Sequence, residues 1–320
     1  MLKYDKINYL GLAETIRIEN GAAELLVPVK LGIRVLSYRL TGGENVMKIF
    51  DAQIKDYAKN EWQSYGGHRL WHAPEDMPRT YDVDNAPLEI AEVRRDGLYL
   101  LQRLDPVSLI RKEALITLSE KTTEARIKHT VTNMNRWPVK LAAWALTVLR
   151  EGGFCAVETP RNEFTLLPDR TLTLWPYARM NDPRAYFGDR VITVKQDTAA
   201  KGPFKVGLCA QNGTAVYILP DVVFKKRFGV SQITNDKGQM TNNVLTSRFS
   251  ILNSQLNEYP DYGCNFETYT NSEMLECESL SPLKELKYGE SIDWTEVWTL
   301  TKNTAGIKQD DEEAIIKILG

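Results

Sequence analysis

The sequence predicts an all-β protein, a large antiparallel β-sandwich with few, short helices. Two stretches carry most of that reading. In EARIKHTVT (124–132), Ala125, Ile127, His129 and Val131 share one face while Glu124, Arg126, Lys128 and Thr130 share the other. That is the period-two pattern of a half-buried strand. After the turn signal NMNRWP (133–138), VKLAAWALTVL (139–149) is apolar on both faces, as a strand in the middle of packed sheets must be. A third observation is negative. GxGxxG, P-loop and GxSxG patterns are missing from the 320 residues, so nucleotide folds and the α/β-hydrolase elbow lose support.

The remaining elements follow in order. Strand-like runs lie at 22–40, 98–104 and 114–119 before the two stretches above, and at 215–219, 222–228, 264–269, 274–280 and 292–300 after them. Gly, Asn, Asp and Pro punctuate the gaps, and no stretch has the composition of a long linker. The best helix is C-terminal, where Asp310, Asp311, Glu312 and Glu313 precede an apolar stripe of Ala314, Ile315, Ile318 and Leu319. Acids in the first turn and i, i+3/i+4 spacing suit a short docking helix. The expected division is one β-domain over 1–304 and a tail over 305–320 that carries this helix.

Composition excludes several function classes. Net charge is −2 with acids and bases interspersed, so nothing points to nucleic acid. The cluster Lys225-Lys226-Arg227 is short, lies in an apolar run and reads as a strand face. The N-terminus lacks an apolar signal region, and no apolar run is long enough to span a membrane. Cys155, Cys209, Cys264 and Cys277 form no CxxC pair and read as reduced thiols of a cytoplasmic protein. Oligomeric state is not legible.

The richest chemistry lies in 259–291. CNFETYT and EMLECESL are strand-like runs around Asn271-Ser272. A two- or four-residue loop there opposes Tyr269 to Met274, Glu267 to Glu276 and Asn265 to Glu278. Asn265, Glu267, Tyr269, Glu276 and Glu278 then share a face, and opposed side chains have Cβ atoms roughly 4.5–5.5 Å apart. Two carboxylates about 5 Å apart at an effective dielectric near 20 repel by about 3 kcal/mol. The expected pocket therefore holds a compensating cation, or one member keeps its proton. The alternative is a solvated acidic edge, and a three-residue loop would dissolve the pair.

The second concentration is YGGHRLWHAPED (65–76), which contains two of the three histidines. The spacing of His68 and His72 is that of a zinc helix, but Gly66-Gly67 and Pro74 argue against helix and Arg69 stands where HExxH has its glutamate. No metal is expected on that ground. In an extended segment His68, Leu70 and His72 share one side, and Arg69 and Trp71 the other. A Gly-Gly entrance lets backbone approach a ligand closely, and Arg with Trp supplies hydroxyl-binding and stacking groups for a sugar. His129, among Ala125, Ile127 and Val131, reads as a hydrogen-bonded core histidine.

GGHRLWHAPE, then TNMNRWPVKLAAWALTVLREGG, then LECESLSPLKELKYGESIDWTEVWTL come in an order that resembles the galactose-mutarotase-like superfamily, and more closely its DUF4380-type branch, which LPDRTLTLWPYARMNDPRAYFGD (167–189) and YPDYGCNFETYT also resemble. The likeness extends from about residue 8 to 302. It implies a β-supersandwich with a sugar pocket on the concave face of the larger sheet. It further implies a late-strand glutamate that takes the anomeric hydroxyl proton, here Glu276 or Glu278. The early Gly-Gly region maps onto Gly66-Gly67, beside His68 and Arg69. Mutarotases carry an acid histidine near the end of the strand after the Asn turn, where this chain reads AAWALTVLREGG. Either His68, His72 or His129 supplies the acid, or the chain does not perform this reaction.

These readings converge on a carbohydrate-active protein acting on or binding a free sugar or sugar derivative, without a cofactor. Glu276 or Glu278 is the expected base and His68 the expected acid. Arg69, Trp71, Glu267, Tyr269, Lys225 and His72 are the expected substrate contacts. Three alternatives stand beside this: a non-catalytic sugar-binding protein, a polysaccharide lyase or hydrolase, and a metal-dependent carbohydrate enzyme using the histidines or the Glu267/Glu276 pair.

Overall fold

The computed structural model describes residues 2–59, 61–160, 170–210, 212–229 and 259–320, with the backbone of the short pair Ile233–Thr234 and Met240–Thr241. The first three residues of the stretch 167–189 lie outside this set. The described residues form mostly antiparallel β-sheet, with helix confined to short segments. The ten-stranded sheet runs Ala185–Phe187, Val191–Lys195, Phe154–Glu158, Thr214–Ile218, Val222–Phe228, Ser291–Lys302, Ala125–Asn133, Ile110–Leu118, Gly97–Leu101, Ile90–Arg94. Facing it is a sheet ordered Leu172–Leu174, Phe204–Leu208, Phe266–Thr270, Leu275–Leu280, Val139–Leu149, His68–Ala73, Arg34–Val35, with Lys284–Leu286 also paired to Val139–Leu149. A four-stranded sheet, Lys3–Tyr9, Leu12–Glu19, Ala23–Val27 and Ser37–Leu40, continues the sandwich.

The pattern of 124–132 is borne out: Ala125, Ile127, His129 and Val131 are buried and Lys128 is exposed. Val139–Leu149 is covered on both faces, as its composition requires. Leu141, Ala143, Ala145 and Leu149 join the main core between the sheets, while Ala142, Trp144 and Leu146 join a separate cluster with Trp71, Ala73 and Leu280 on the other side. The run 22–40 is three strands rather than one: Pro28 and the positive-φ Gly32 separate Ala23–Val27 from Arg34–Val35, and at Leu36 the chain passes to Ser37–Leu40 in a different sheet.

The C-terminal helix spans Glu312–Leu319, and the Asp311 side chain caps it by accepting from the Ala314 amide. Ile315 and Leu319 are buried against Phe154, Val191, Val216 and Val223. Two such side chains contribute together about 3–6 kcal/mol, which holds a helix too short to be stable alone. Glu312 anchors it further by accepting from the amides of Asp189 and Arg190. No helix among the described residues is long and apolar enough to cross a membrane.

Candidate functional site

Alternation on three adjacent strands builds a cleft on the outer face of the second sheet. From His68–Ala73 come Arg69 and Trp71, from Val139–Leu149 come Trp144 and Leu146, and from Leu275–Leu280 come Glu276 and Glu278. Register aligns them: Arg69, Leu146 and Glu278 form one row across the strands, and Trp71, Trp144 and Leu280 the next. Gly66 and Gly67 set that register. Both have positive φ, and a Cβ would come within 2.1 Å of Lys48 O at Gly66 and 2.4 Å of Val35 O at Gly67. Their role is close packing of backbone on backbone, not the approach of a ligand expected from the sequence.

The hairpin forms in a register two residues from the expected one. Glu267 faces Glu278 and Tyr269 faces Glu276, with Thr270 opposite Leu275. The reason is the turn. Asn271 Oδ1 accepts from the amides of Glu273 and Met274, and the Asn271 amide donates to Met274 O. This Asx-type closure draws Asn271–Met274 into the loop. A slip of two preserves the face, so Glu267, Tyr269, Glu276 and Glu278 still lie together, but the opposed pair is Glu267 with Glu278 rather than with Glu276.

The compensating cation is Lys205, on Phe204–Leu208 and directly opposite Tyr269. Its Nζ lies 2.7 Å from Glu267 Oε2 and 2.9 Å from Glu278 Oε2. Trp144 Nε1 donates to the same Glu278 oxygen at 2.8 Å. The ammonium also sits over the rings of Trp175 (4.4 Å) and Trp144 (4.9 Å), a favourable position for a desolvated cation. Burial opposes its charge, but the two carboxylates more than offset that and hold its pKa well above the usual lysine range. Burial, with Glu278 adding repulsion, pushes Glu267 well above the ordinary carboxylate range despite Lys205. Sequence reasoning missed Lys205; the signal was a lone charge in the apolar run PFKVGL.

Glu276 is the free carboxyl of the group. Among the described residues, no hydrogen bond or ion pair engages it. Burial first, and Glu278 second, push its pKa up to about 7, with Arg69 and Lys205 pulling the other way. Such a group exchanges a proton near neutrality.

Opposite stands Arg69, only 2% exposed, whose Nε and Nη1 have no hydrogen-bond partner. Its guanidinium lies over Trp71 at 4.1 Å and Trp62 at 5.3 Å. Burial brings its pKa down to about 10, so it stays charged at neutral pH. Tyr81 packs edge-on against both tryptophans, and Tyr177 against Tyr269. Aromatic rings thus stand beside a set of charged groups, Arg69, Glu75, Lys205, Glu276 and Glu278, a combination that can stack a ring-shaped ligand and bond its polar substituents.

His68, His72 and Lys225 do not share this cleft. His68 and Leu70 point between the sheets, by the same alternation that sends Arg69 outward. His68 Nε2 lies 2.8 Å from His129 Nε2 and its Nδ1 2.9 Å from Thr147 Oγ1. Burial, then His129 and Lys226, hold His68 well below the usual histidine range, so it stays neutral. His72 is buried too, with its pKa lowered to about 3 by desolvation and then by Lys112 and Arg79. Lys225 donates to Ile318 O and fastens the C-terminal helix.

His68, His129 and Glu296 place ligand atoms within 4.8 Å of one another. Lys226, however, lies 2.8 Å from Glu296 Oε1 and also donates to Ala145 O, Cys277 O and Thr147 Oγ1. A divalent cation there would sit beside an ammonium. The arrangement is an internal ion pair with a histidine relay, tying strands of both sheets together.

No family profile and no curated protein sequence matches the chain. Solved structures match it in shape. A galactose mutarotase-like protein from Lactobacillus casei superposes with a TM-score of 0.56 at 11% identity, over 90% of this chain and 100% of that one. The fold is galactose mutarotase-like. The Slr1438 protein of Synechocystis sp. PCC 6803 gives a TM-score of 0.54 at 12% identity, over 90% and 96% of the two chains. Galactose 1-epimerase from Lactobacillus acidophilus gives 0.50 at 10% identity, over 95% and 99%. Identities this low make the likeness one of mutarotase-like fold.

Proposed function

We propose that the protein is a carbohydrate-active enzyme, of the DUF4380-type branch and cytoplasmic, that interconverts the anomers of a free sugar in this cleft. The observation that carries the reading is Glu276: a carboxyl without a hydrogen-bond or ion-pair partner among the described residues, in an aromatic cleft, with a pKa of about 7. As carboxylate it takes the proton from the anomeric hydroxyl, and as acid it returns one after C1 has turned. Glu278, held by Lys205 and Trp144, orients the sugar's hydroxyls. Burial pushes the Tyr177 and Tyr269 phenols up, so both remain protonated and hydrogen-bond the ring oxygen, which takes a proton from solvent as the ring opens and returns it on reclosure, in place of the histidine that the cleft lacks. Trp62 and Tyr81 stack against the ring, with Trp71 packed behind them.

Exchange-spectroscopy NMR or polarimetry on freshly dissolved pyranoses tests this. The expected result is anomer exchange above the spontaneous rate, lost in Glu276→Gln. A second reading, a non-catalytic sugar receptor, draws on the absence of a histidine from the cleft. Binding without accelerated exchange selects it.

A further inference from the structure

The charges of the cleft do not balance pairwise. Lys205 is engaged by two acidic side chains, Glu267 at 2.7 Å and Glu278 at 2.9 Å. Arg69 has no such partner among the described residues: no hydrogen bond or ion pair reaches it, and its Nε and Nη1 are buried and unsatisfied. Two indole faces are its direct contacts, and Asp84, Glu276 and Glu278 act on it only through space. A buried guanidinium without a directly bonded anion is costly, because aromatic contact replaces only part of its lost hydration. The guanidinium lies over Trp71 at 4.1 Å with Trp62 beside it at 5.3 Å, and its planar group presents its donors as a fork, the geometry that matches a carboxylate bidentately.

We propose that the cleft recognises a sugar acid, a pyranose bearing one carboxylate, and that Arg69 binds that carboxylate while the anomeric carbon faces Glu276. The inference rests on the carbohydrate reading above and names the substrate class. Spacing supports it. Arg69 and Glu278 occupy one row on strands separated by Val139–Leu149, with Leu146 as the floor between them. Two strand spacings put their backbones roughly 10 Å apart. With a side chain reaching in from each end, the space suits one pyranose ring and its substituents. Charge supports a carboxylate over a phosphate ester. One unpaired cation matches one negative charge, whereas a phosphate monoester carries nearly two at neutral pH, and Glu75, Glu276 and Glu278 line the same cleft. The partial protonation of Glu276 near neutrality lessens the repulsion that a carboxylate meets there.

Calorimetry and saturation-transfer NMR with glucuronate, galacturonate, glucose, galactose and glucose 6-phosphate on the unaltered chain test the proposal. At least one hexuronate should bind ten-fold or more tightly than its parent hexose. Arg69→Gln should bring that hexuronate down to the level of the hexose, and Arg69→Lys should keep part of the difference. Equal affinity for hexose and hexuronate overturns the sugar-acid proposal but leaves the carbohydrate reading standing. Tighter binding of glucose 6-phosphate overturns it in favour of a phosphorylated sugar. If neither hexoses nor hexuronates bind, both readings fail together. The ligand comparison does not depend on the Arg69 variants folding.

Discussion

A single position, Glu276, joins the fold's energetics to its proposed chemistry. Its pKa rises from an ordinary 4.5 to about 7 in the folded chain, so between those values the folded state holds a proton that the unfolded state has released. Stability contributed by this proton is complete below about pH 4.5 and is lost as pH rises through 7. The shift corresponds to up to about 3 kcal/mol. Glu276→Gln should remove that slope, leaving a protein as stable as wild type at pH 4.5 and more stable at pH 8. Urea denaturation across that range checks this; a variant less stable at pH 8 would show that the ionised carboxyl is stabilised by partners. Residues of this cleft were legible where they lay on strands with clear alternation. Arg69, Trp71, Glu276 and Glu278 follow from period two alone once one face is known. His68 was misplaced because a histidine's chemistry drew it toward the site, although alternation already sent it to the side opposite Arg69. Its true surroundings, Thr147 and His129, come from strands far along the chain, and no local pattern announces them.

For the elements, turns decided what sequence pattern could not. The hairpin 266–280 was foreseen with the right face and the wrong partners. Parity depends only on whether the loop is odd or even, but the pairing depends on which loop forms, and that was settled by the Asn271 side chain. The strand His68–Ala73 is placed by the glycines before it. Gly67 has φ +73° and no room for a Cβ, whereas Gly42 has φ +76° with nothing within 4 Å. Gly67→Ala should therefore cost more than the roughly 1–3 kcal/mol of backbone strain alone, and more than Gly42→Ala, which carries only that strain. Thermal unfolding of the two variants side by side makes the comparison. Equal losses would mean that the backbone around Val35 yields easily.

Across the whole molecule, the interface between the sheets is not purely apolar. Lys226, from the basic triplet that looked like a strand face, is fully buried and reaches across to Ala145 and Cys277 of the opposite sheet. The triplet splits because alternation sends Lys226 inward and Lys225 to the C-terminal helix. Only a partner supplied from a distant strand, Glu296, makes that burial tolerable, so sequence alone could not signal it. Removing one member of such a pair costs about 3–5 kcal/mol. Lys226→Met should lose about that much in urea denaturation, and Glu296→Gln added to it should recover part of the loss. A loss under about 1 kcal/mol would mean that the cation is not structurally required. The sandwich class was legible from periodicity because strand patterns are local, while the polar bridge between its layers was not.

The aromatic lining of the cleft has an optical consequence. Of the seven tryptophans, Trp62, Trp71 and Trp144 line the cleft and Trp175 stacks on the Lys205 ammonium at its wall. Trp294 and Trp298 lie between the sheets, where their indole N–H groups are bound to Ser279 and Glu296. The protein thus carries two sets of built-in fluorophores in separate environments, with Trp137 apart from both, exposed on the surface. A ligand entering the cleft displaces water from the first set and leaves the second in place, whereas unfolding moves both into solvent. Emission shifts on titration therefore report occupancy, and they do so without a label.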